Sequence, residues 1–404
     1  MFDELYAIVD SKVRAVESNR RTKDVHSLLM AEQRVREILE IETPAIEDVS
    51  DILGVSKGKV LAVRMDKASG ITGFKKPVIA CLILKRLIEA VRRKEYSKTW
   101  IDAGNVNSSL ALAYYAKKFD GKAAYVMSRF FPEYVLDYIR EVSHDSIHII
   151  QAPNLSLGIE RDFYKYLVDL VRTDRRYKSF QPLWHAKHGG QYTQVLGIEL
   201  AQKVMECPDF IVTVVGAGST VEGLAIPVKE KFNNNPKIVV PEHSESQLMY
   251  IEGAIQRVEN CDLRTDYSSD WFSRPPKGIP HAVIGPHYDE VNPLIKESVL
   301  RCIGGVFVYV DDDWKQMSFD CYKKGLEIGN SSAANLVVAK QLAEKGNTVL
   351  TFIYETFRSI YKGHNVGEPE TIASADFHPE ETSSTPSEYR EYEYRQFTPP
   401  FSVP

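Results

Sequence analysis

Eight apolar runs with strand character recur along this chain, most of them separated by helical patterns, and that alternation narrows the possible folds sharply. The runs are Val60–Met65, Thr99–Asp102, Ala123–Met127, Ile147–Gln151, Phe210–Val215, Ile238–Val240, Val306–Val310 and Thr348–Tyr354. The helical patterns are Val78–Arg93, Ser108–Phe119, Pro132–Val142, Arg161–Arg172, Gly197–Glu206, Val221–Phe232, Tyr288–Leu300 and Ser331–Lys345. Strands joined through helices pair in parallel, so the repetition predicts an α/β fold whose mainly parallel sheet is covered on both faces. Residues 1–50 are charged and read as helical, with Ser27–Glu40 the best amphipathic stretch, and are expected to pack outside the sheet. Residues 363–404 are rich in Glu, Ser, Thr, Pro and Tyr without apolar periodicity, which predicts a flexible tail.

Composition excludes several classes. The apolar content of 44% over 404 residues suffices for two or three packed domains. A net charge of −5 with no long basic run argues against a dedicated nucleic-acid surface. The cysteines at 81, 207, 261, 302 and 321 form no C-x-x-C pair, so neither a zinc site nor a secreted disulfide framework is expected. Met1-Phe2-Asp3-Glu4-Leu5 lacks the basic and apolar regions of an export signal. No run approaches the ~18 apolar residues that span a bilayer. A soluble, cytoplasmic protein is the expectation.

One junction points to a ligand. Phe210–Val215 runs directly into Gly216-Ala217-Gly218-Ser219-Thr220, and a helical pattern follows from Val221. Glycines let the backbone turn tightly, and the helix start presents unpaired N–H groups, an arrangement that suits a phosphate. A dinucleotide fingerprint would need a third glycine where Val221 stands, although Glu242 lies where a ribose-binding acid would, about 20 residues on. A ligand-free glycine turn is the bland alternative.

Three further patches share the strand–loop–helix form: Ser69–Pro77 with Lys75 and Lys76, Trp100–Ser109, and Gly325–Ala334. Each has a dull reading, as a solvated lysine pair, a glycine–asparagine turn and a serine N-cap. Together with Gly216–Thr220 they supply an amine, two polar loop ends and a phosphate cradle.

In this order the patches resemble the fold-type II pyridoxal-phosphate enzymes, the superfamily of cysteine synthase and cystathionine β-synthase, over Thr43 to Tyr361. Thr43-Pro44-Ala45-Ile46 resembles the family's Thr-Pro-Leu opening, and Gly104-Asn105 its Ser-Gly-Asn. Val126-Met127, followed by Pro132-Glu133, is similar to its Val-Met-Pro segment. Gly216–Thr220 matches its Gly-Thr-Gly-Gly-Thr loop, and Gly329–Ala334 its Gly-Ile-Ser-Ser-Gly-Ala. The resemblance implies two three-layer α/β domains with pyridoxal 5′-phosphate in the cleft between them, and a homodimer. On this chain the expected division is a helical segment 1–50, a smaller domain 51–190, a larger domain 191–362 and the tail 363–404.

The resemblance also implies roles. A lysine of the first patch would be the Schiff-base lysine: spacing from Asp66 and the family's Phe-Lys select Lys75, whereas Thr72-Gly73 without a gap selects Lys76. Asn105 would bind the cofactor's 3′-oxygen, and Gly216, Ala217, Gly218, Ser219 and Thr220 its phosphate. Ser331 would face the pyridine nitrogen, and a hydroxyl there makes the ring a weaker electron sink, suited to β-elimination and β-replacement.

The departures fall on the substrate side. Where the family has hydroxyls beside Gly-Asn for the α-carboxylate, this chain has Asp102, Ala103 and Val106, with Asn107 and Ser108 as replacement donors. Gln181–Gly190 takes the place of the family's substrate-facing Gln-Phe-x-Asn-Pro stretch, with Gln181, His185, Lys187 and His188 placed to meet substrate or to lie on a surface loop. The expected function is therefore a pyridoxal-phosphate-dependent lyase or transferase with an atypical amino-acid substrate. The alternatives are decarboxylation of an amino acid or conjugate, a non-catalytic relative, and an NAD-binding α/β protein.

Overall fold

The computed structural model describes residues 1–18, 24–128, 136–137, 139–141, 146–152, 160–243, 296–309 and 311–354. Its strands are β1 (Ala45–Asp48), β2 (Lys59–Arg64), β3 (Thr99–Ala103), β4 (Lys122–Ser128), β5 (Ile147–Ala152), β6 (Gln181–Pro182), β7 (Phe210–Val212), β8 (Lys237–His243), β9 (Ile303–Tyr309) and β10 (Thr348–Ile353). Every apolar run read as a strand forms one. They assemble as two sheets, one in the order β1-β2-β10-β7-β8-β9 and one in the order β5-β4-β3-β6. All neighbouring pairs are parallel except β1 with β2. The chain is thus an α/β protein with two mainly parallel sheets.

Seven helices position the candidate residues: α1 (Phe2–Ser18), α2 (Lys75–Arg93), α3 (Val106–Lys118), α4 (Glu160–Thr173), α5 (His185–Lys203), α6 (Asp311–Lys323) and α7 (Asn330–Ala343). Both α3 and α4 pack on β3 and β4, while α7 packs on β10 and its neighbours. Proline at position 77 suits the first turn of α2, and Lys94 in the left-handed region ends that helix. Val78 to Leu84 of α2 are all buried, because α1, α3 and α5 pack around it. Helix α5 lies between α2 and the run formed by Val221–Ala225 and Ile226–Lys231, so it ties the lysine helix to the glycine loop.

Several expectations need correction. Residues 1–50 are not helical throughout, since Ala45–Asp48 forms β1 against β2. Lys59–Arg64, expected within 51–190, pairs with β10 in the six-stranded sheet, so the smaller unit's expected start does not follow sheet membership. The helix read from Gly197 begins at His185. The strand read to Val215 stops at Val212: Thr213 still donates to Val239 O at 3.1 Å, but Val214 N–H turns to Asn335 Oδ1 at 2.7 Å. Helix α6 and strand β6 were not anticipated. The helix expected at Pro132–Val142 lies mostly outside the described residues, as does that at Tyr288–Leu300 apart from helical Glu297–Leu300, and so does the tail.

The larger sheet and most helices share one apolar core. A second cluster around Ile101, Ala103, Ala124, Val126 and Leu167 also takes in Ala186 of α5 and Ala217 of the glycine loop. No helix among the described residues is long and apolar enough to cross a membrane.

Candidate cofactor and substrate site

Strand β7 lies between β10 and β8, and the glycine loop leaves its C-terminal end, the side of a parallel sheet where ligands bind. Gly218 adopts φ +78°, and Glu222 N–H donates to Gly218 O at 2.9 Å as the chain enters a π-helical turn at Val221–Ala225. Ser219 is 5% exposed and its Oγ has no hydrogen-bond partner among the described residues. A buried hydroxyl left without a partner costs about 1–3 kcal/mol, so this atom is suited to receive a polar ligand atom.

The lysine patch meets this loop through two helices. Lys75 is the first residue of α2, and Val78 follows one turn later on the same side. A Cβ at Gly189 of α5 would lie 2.6 Å from Val78 Cγ1 and 3.1 Å from Ser219 Oγ. Only a residue without a side chain allows the first turns of α2 and α5 to converge on Ser219. Lys76 is engaged elsewhere, with Nζ 2.8 Å from Glu40 Oε2 and 4.6 Å from the centre of the Tyr114 ring. Glu40 also accepts from Lys118 and Tyr114. Burial alone would raise the Glu40 carboxyl, but the hydrogen bonds from Lys118, Lys76 and Tyr114 outweigh it and hold the group at about 2.

The serine patch joins through the end of β10. Gly73, at φ +51°, sits so close to Tyr354 that a Cβ would lie 2.5 Å from its carbonyl oxygen. Tyr354 Oη is 2.5 Å from Thr213 Oγ1, and Tyr354 N–H donates to Ser332 Oγ at 3.0 Å. Asn335, fully buried in α7, accepts from Val214 N–H and donates through Nδ2 to Phe352 O at 3.0 Å. Ser331 is half-buried beside Ser332 in the first turn of α7, a turn without acidic residues.

At the C-terminal end of the smaller sheet, β3 delivers the glycine–asparagine turn. Gly104 has φ +142°, and its N–H donates to Val126 O at 3.0 Å. Asn105 is the residue before α3 and Asn107 lies in its first turn, both half-buried. Asp102 is fully buried: Oδ1 accepts from Ala103 N–H at 2.9 Å, and Oδ2 from both His185 N–H and Nδ1 at 3.1 Å. Trp184, at φ +61°, turns the chain leaving β6 so that His185 reaches this carboxylate. Ser108 Oγ donates to Asn105 O at 2.9 Å and lies 2.5 Å from Tyr125 Oη.

The structure thus brings Asp102, Gly104, Asn105, Ser108 and His185 together. Ala103 is a packing residue of the second apolar cluster. His185, read as a loop residue, is 1% exposed in the first turn of a helix. Gln181 stands in β6 opposite Trp100, half-buried. His188 is half-buried, and burial together with Lys85, Lys187, Arg86 and Lys296 pushes its imidazole down to about 3, so it stays neutral at ordinary pH and offers no positive charge to an anion. Tyr125, Tyr354 and Asn335 were not singled out from the sequence. The one available signal was Asn335, a polar residue inside the apolar run Ala333–Val338.

A family profile described as "Pyridoxal-phosphate dependent enzyme" matches residues 40–353. Among solved structures, the chain is similar to the O-acetylserine dependent cystathionine beta-synthase from Helicobacter pylori, with 18% identity and a TM-score of 0.61 over 80% of this chain and 96% of that one. It is also similar to O-Acetyl Serine Sulfhydrylase isoform 3 from Entamoeba histolytica, with 17% identity and a TM-score of 0.60 over 84% and 96%. A third likeness is to an O-ureido-L-serine synthase, with 16% identity and a TM-score of 0.60 over 83% and 98%. No curated protein matches the sequence.

Proposed function

Because the chain belongs to the pyridoxal-phosphate dependent enzyme family, and so has pyridoxal phosphate as its cofactor, we propose that it catalyses β-replacement or β-elimination on an amino acid carrying a leaving group at Cβ. The family membership sets aside the dinucleotide reading of the glycine loop. The residues present fit the cofactor: Ser219 offers an unsatisfied buried hydroxyl in a glycine turn, which suits a phosphate oxygen. The observation that carries the proposal is the convergence of the first turns of α2 and α5 on that hydroxyl.

Pyridoxal phosphate, when bound, supplies the electron sink at the substrate Cα. The chain's residues do the rest. Lys75, heading α2, holds the cofactor and moves the Cα proton, while Lys76 pairs with Glu40. The Gly216–Thr220 loop binds the phosphate, Asn105 the 3′-oxygen, and Ser331 faces the ring nitrogen. A hydroxyl rather than a carboxylate at that position favours chemistry at Cβ. The cleft between the two sheet-centred units is the proposed location of the cofactor, and a homodimer, which light scattering checks, is the proposed assembly. A second reading, loss of the substrate carboxyl as carbon dioxide, is favoured by one feature, the buried Asp102 beside the glycine–asparagine turn.

Borohydride reduction of the cofactor-loaded protein followed by peptide mass mapping tests the assignment. The pyridoxyl label is expected on Lys75, lost in Lys75→Ala and kept in Lys76→Ala. A label on Lys76, or a protein that takes up no pyridoxal phosphate, overturns it. Incubation with O-acetyl-L-serine, with and without a thiol, is expected to give pyruvate or a thioether. Release of carbon dioxide would support the second reading.

A further inference from the structure

The glycine–asparagine turn is held between two polar arms. On one side Asp102 lies next to the last residue of β3 and His185 opens α5, and the two are joined by both the backbone N–H and Nδ1 of the histidine. With Nδ1 turned to the carboxylate, the ring presents Cε1 and Nε2 on its other edge. That edge of the ring rests on the turn: a Cβ at Gly104 would lie 2.9 Å from His185 Cε1 and 3.4 Å from Nε2. The same point is 3.0 Å from Tyr125 Oη, which belongs to the second arm. There Ser108 gives its hydrogen to Asn105 O, so its lone pairs face the Tyr125 hydroxyl.

Asp102 and His185 are 0% and 1% exposed, and the ring edge of His185 lies against the backbone of the turn at Gly104. The turn itself carries Ala103 and Val106 around Gly104-Asn105, so no side-chain hydroxyl there orients an incoming carboxylate. Its backbone N–H groups and asparagine side chains aim correctly only if the turn is held in place.

We propose that His185, clamped by Asp102, is a positioning residue for Asn105 and its turn, and that it sets the affinity for the amino-acid substrate without touching it. This rests on the pyridoxal-phosphate site proposed above. Of the proposed cofactor contacts only that of Asn105 lies on this turn, the phosphate being held from the other sheet at Ser219, so the couple affects substrate binding more than cofactor binding.

The test uses full-length protein as wild type, Asp102→Asn, His185→Leu and His185→Gln. Pyridoxal phosphate affinity is measured on the unloaded forms, and affinity for L-serine and O-acetyl-L-serine by absorbance titration of the loaded forms. In Asp102→Asn and His185→Leu the amino-acid dissociation constants are expected to rise about tenfold or more, the scale of one lost hydrogen bond to a charged group. Cofactor affinity is expected to change by less than about threefold, below half of that effect in free energy. His185→Gln is expected to recover part of the loss. Nitrogen NMR of the unloaded protein is expected to show His185 protonated at Nδ1, and this signature to change in Asp102→Asn. If His185→Leu does not fold, the isosteric Asp102→Asn decides. Unchanged amino-acid binding, or equal losses of amino acid and cofactor, overturns the proposal. A wild-type protein that takes up no pyridoxal phosphate overturns the parent reading and this one with it, whereas a wild type that loads and binds serine beside unaffected variants overturns only this one.

Discussion

Ser219 is the residue on which the proposed cofactor contact can be tested most directly. Its hydroxyl is buried and has no partner among the described residues, a cost of about 1–3 kcal/mol that a polar ligand atom would relieve. Ser219→Ala removes both the cost and the ligand contact. Unloaded Ser219→Ala is therefore expected to melt at the wild-type temperature or above it, while pyridoxal phosphate binds about tenfold more weakly. Thermal melts with and without cofactor, together with equilibrium titration, check this. A destabilised unloaded variant would mean that the hydroxyl already has a role within the protein. The choice between the two lysines is also a matter of single residues. Sequence spacing left Lys75 and Lys76 open because a loop of uncertain length precedes both. The contacts of Lys76 with Glu40 and Tyr114 come from segments far away in sequence, and no local pattern announces them.

Helix α5 is the element on which the candidate site turns, and it is also where sequence reading and structure part furthest. The pattern placed a helix only from Gly197, and Gly189-Gly190 gives no local support to an earlier start, since each glycine costs a helix about 1 kcal/mol relative to alanine. Tertiary contact reverses that reading. Gly189 lets Ser219 and Val78 approach, a Cβ at Gly190 would lie 2.6 Å from Glu222 Cβ, and one at Gly197 would overlap the carbonyl oxygen of Gly223. Gly197→Ala is thus expected to lose about 1–3 kcal/mol by overpacking, despite alanine's better helix propensity, as read from urea unfolding. A gain in stability would show that α5 has room to move away from the glycine-loop helix. The eight strands were legible because buried parallel strands are continuous apolar runs. Strand β6 was not, being two residues long, nor was β1, whose Ala45–Asp48 has no alternation to mark it. At the site, the glycine turns and serine pair stood out as local motifs. The Asp102–His185 couple did not, because it joins residues on separate elements.

For the whole molecule, the larger sheet carries the glycine loop and the serine helix and the smaller the glycine–asparagine turn, while α5 packs against both α2 and the helix after the glycine loop. Removing residues from Thr348 onward is expected to abolish cofactor uptake and leave aggregating protein, as measured by absorbance and size-exclusion chromatography. A soluble, cofactor-binding fragment would contradict this. The reason is the position of β10, which lies between β2 and β7 and pairs with both. In time rather than space, this means that the N-terminal strands leave the ribosome long before the strand that joins them to the rest of their sheet. Until it arrives, β2 and β7 each keep an open edge, the kind of surface that chaperones shield and other chains capture. Assembly of the larger sheet therefore waits for nearly the whole described chain to be made, and an interrupted translation product has no half-working form.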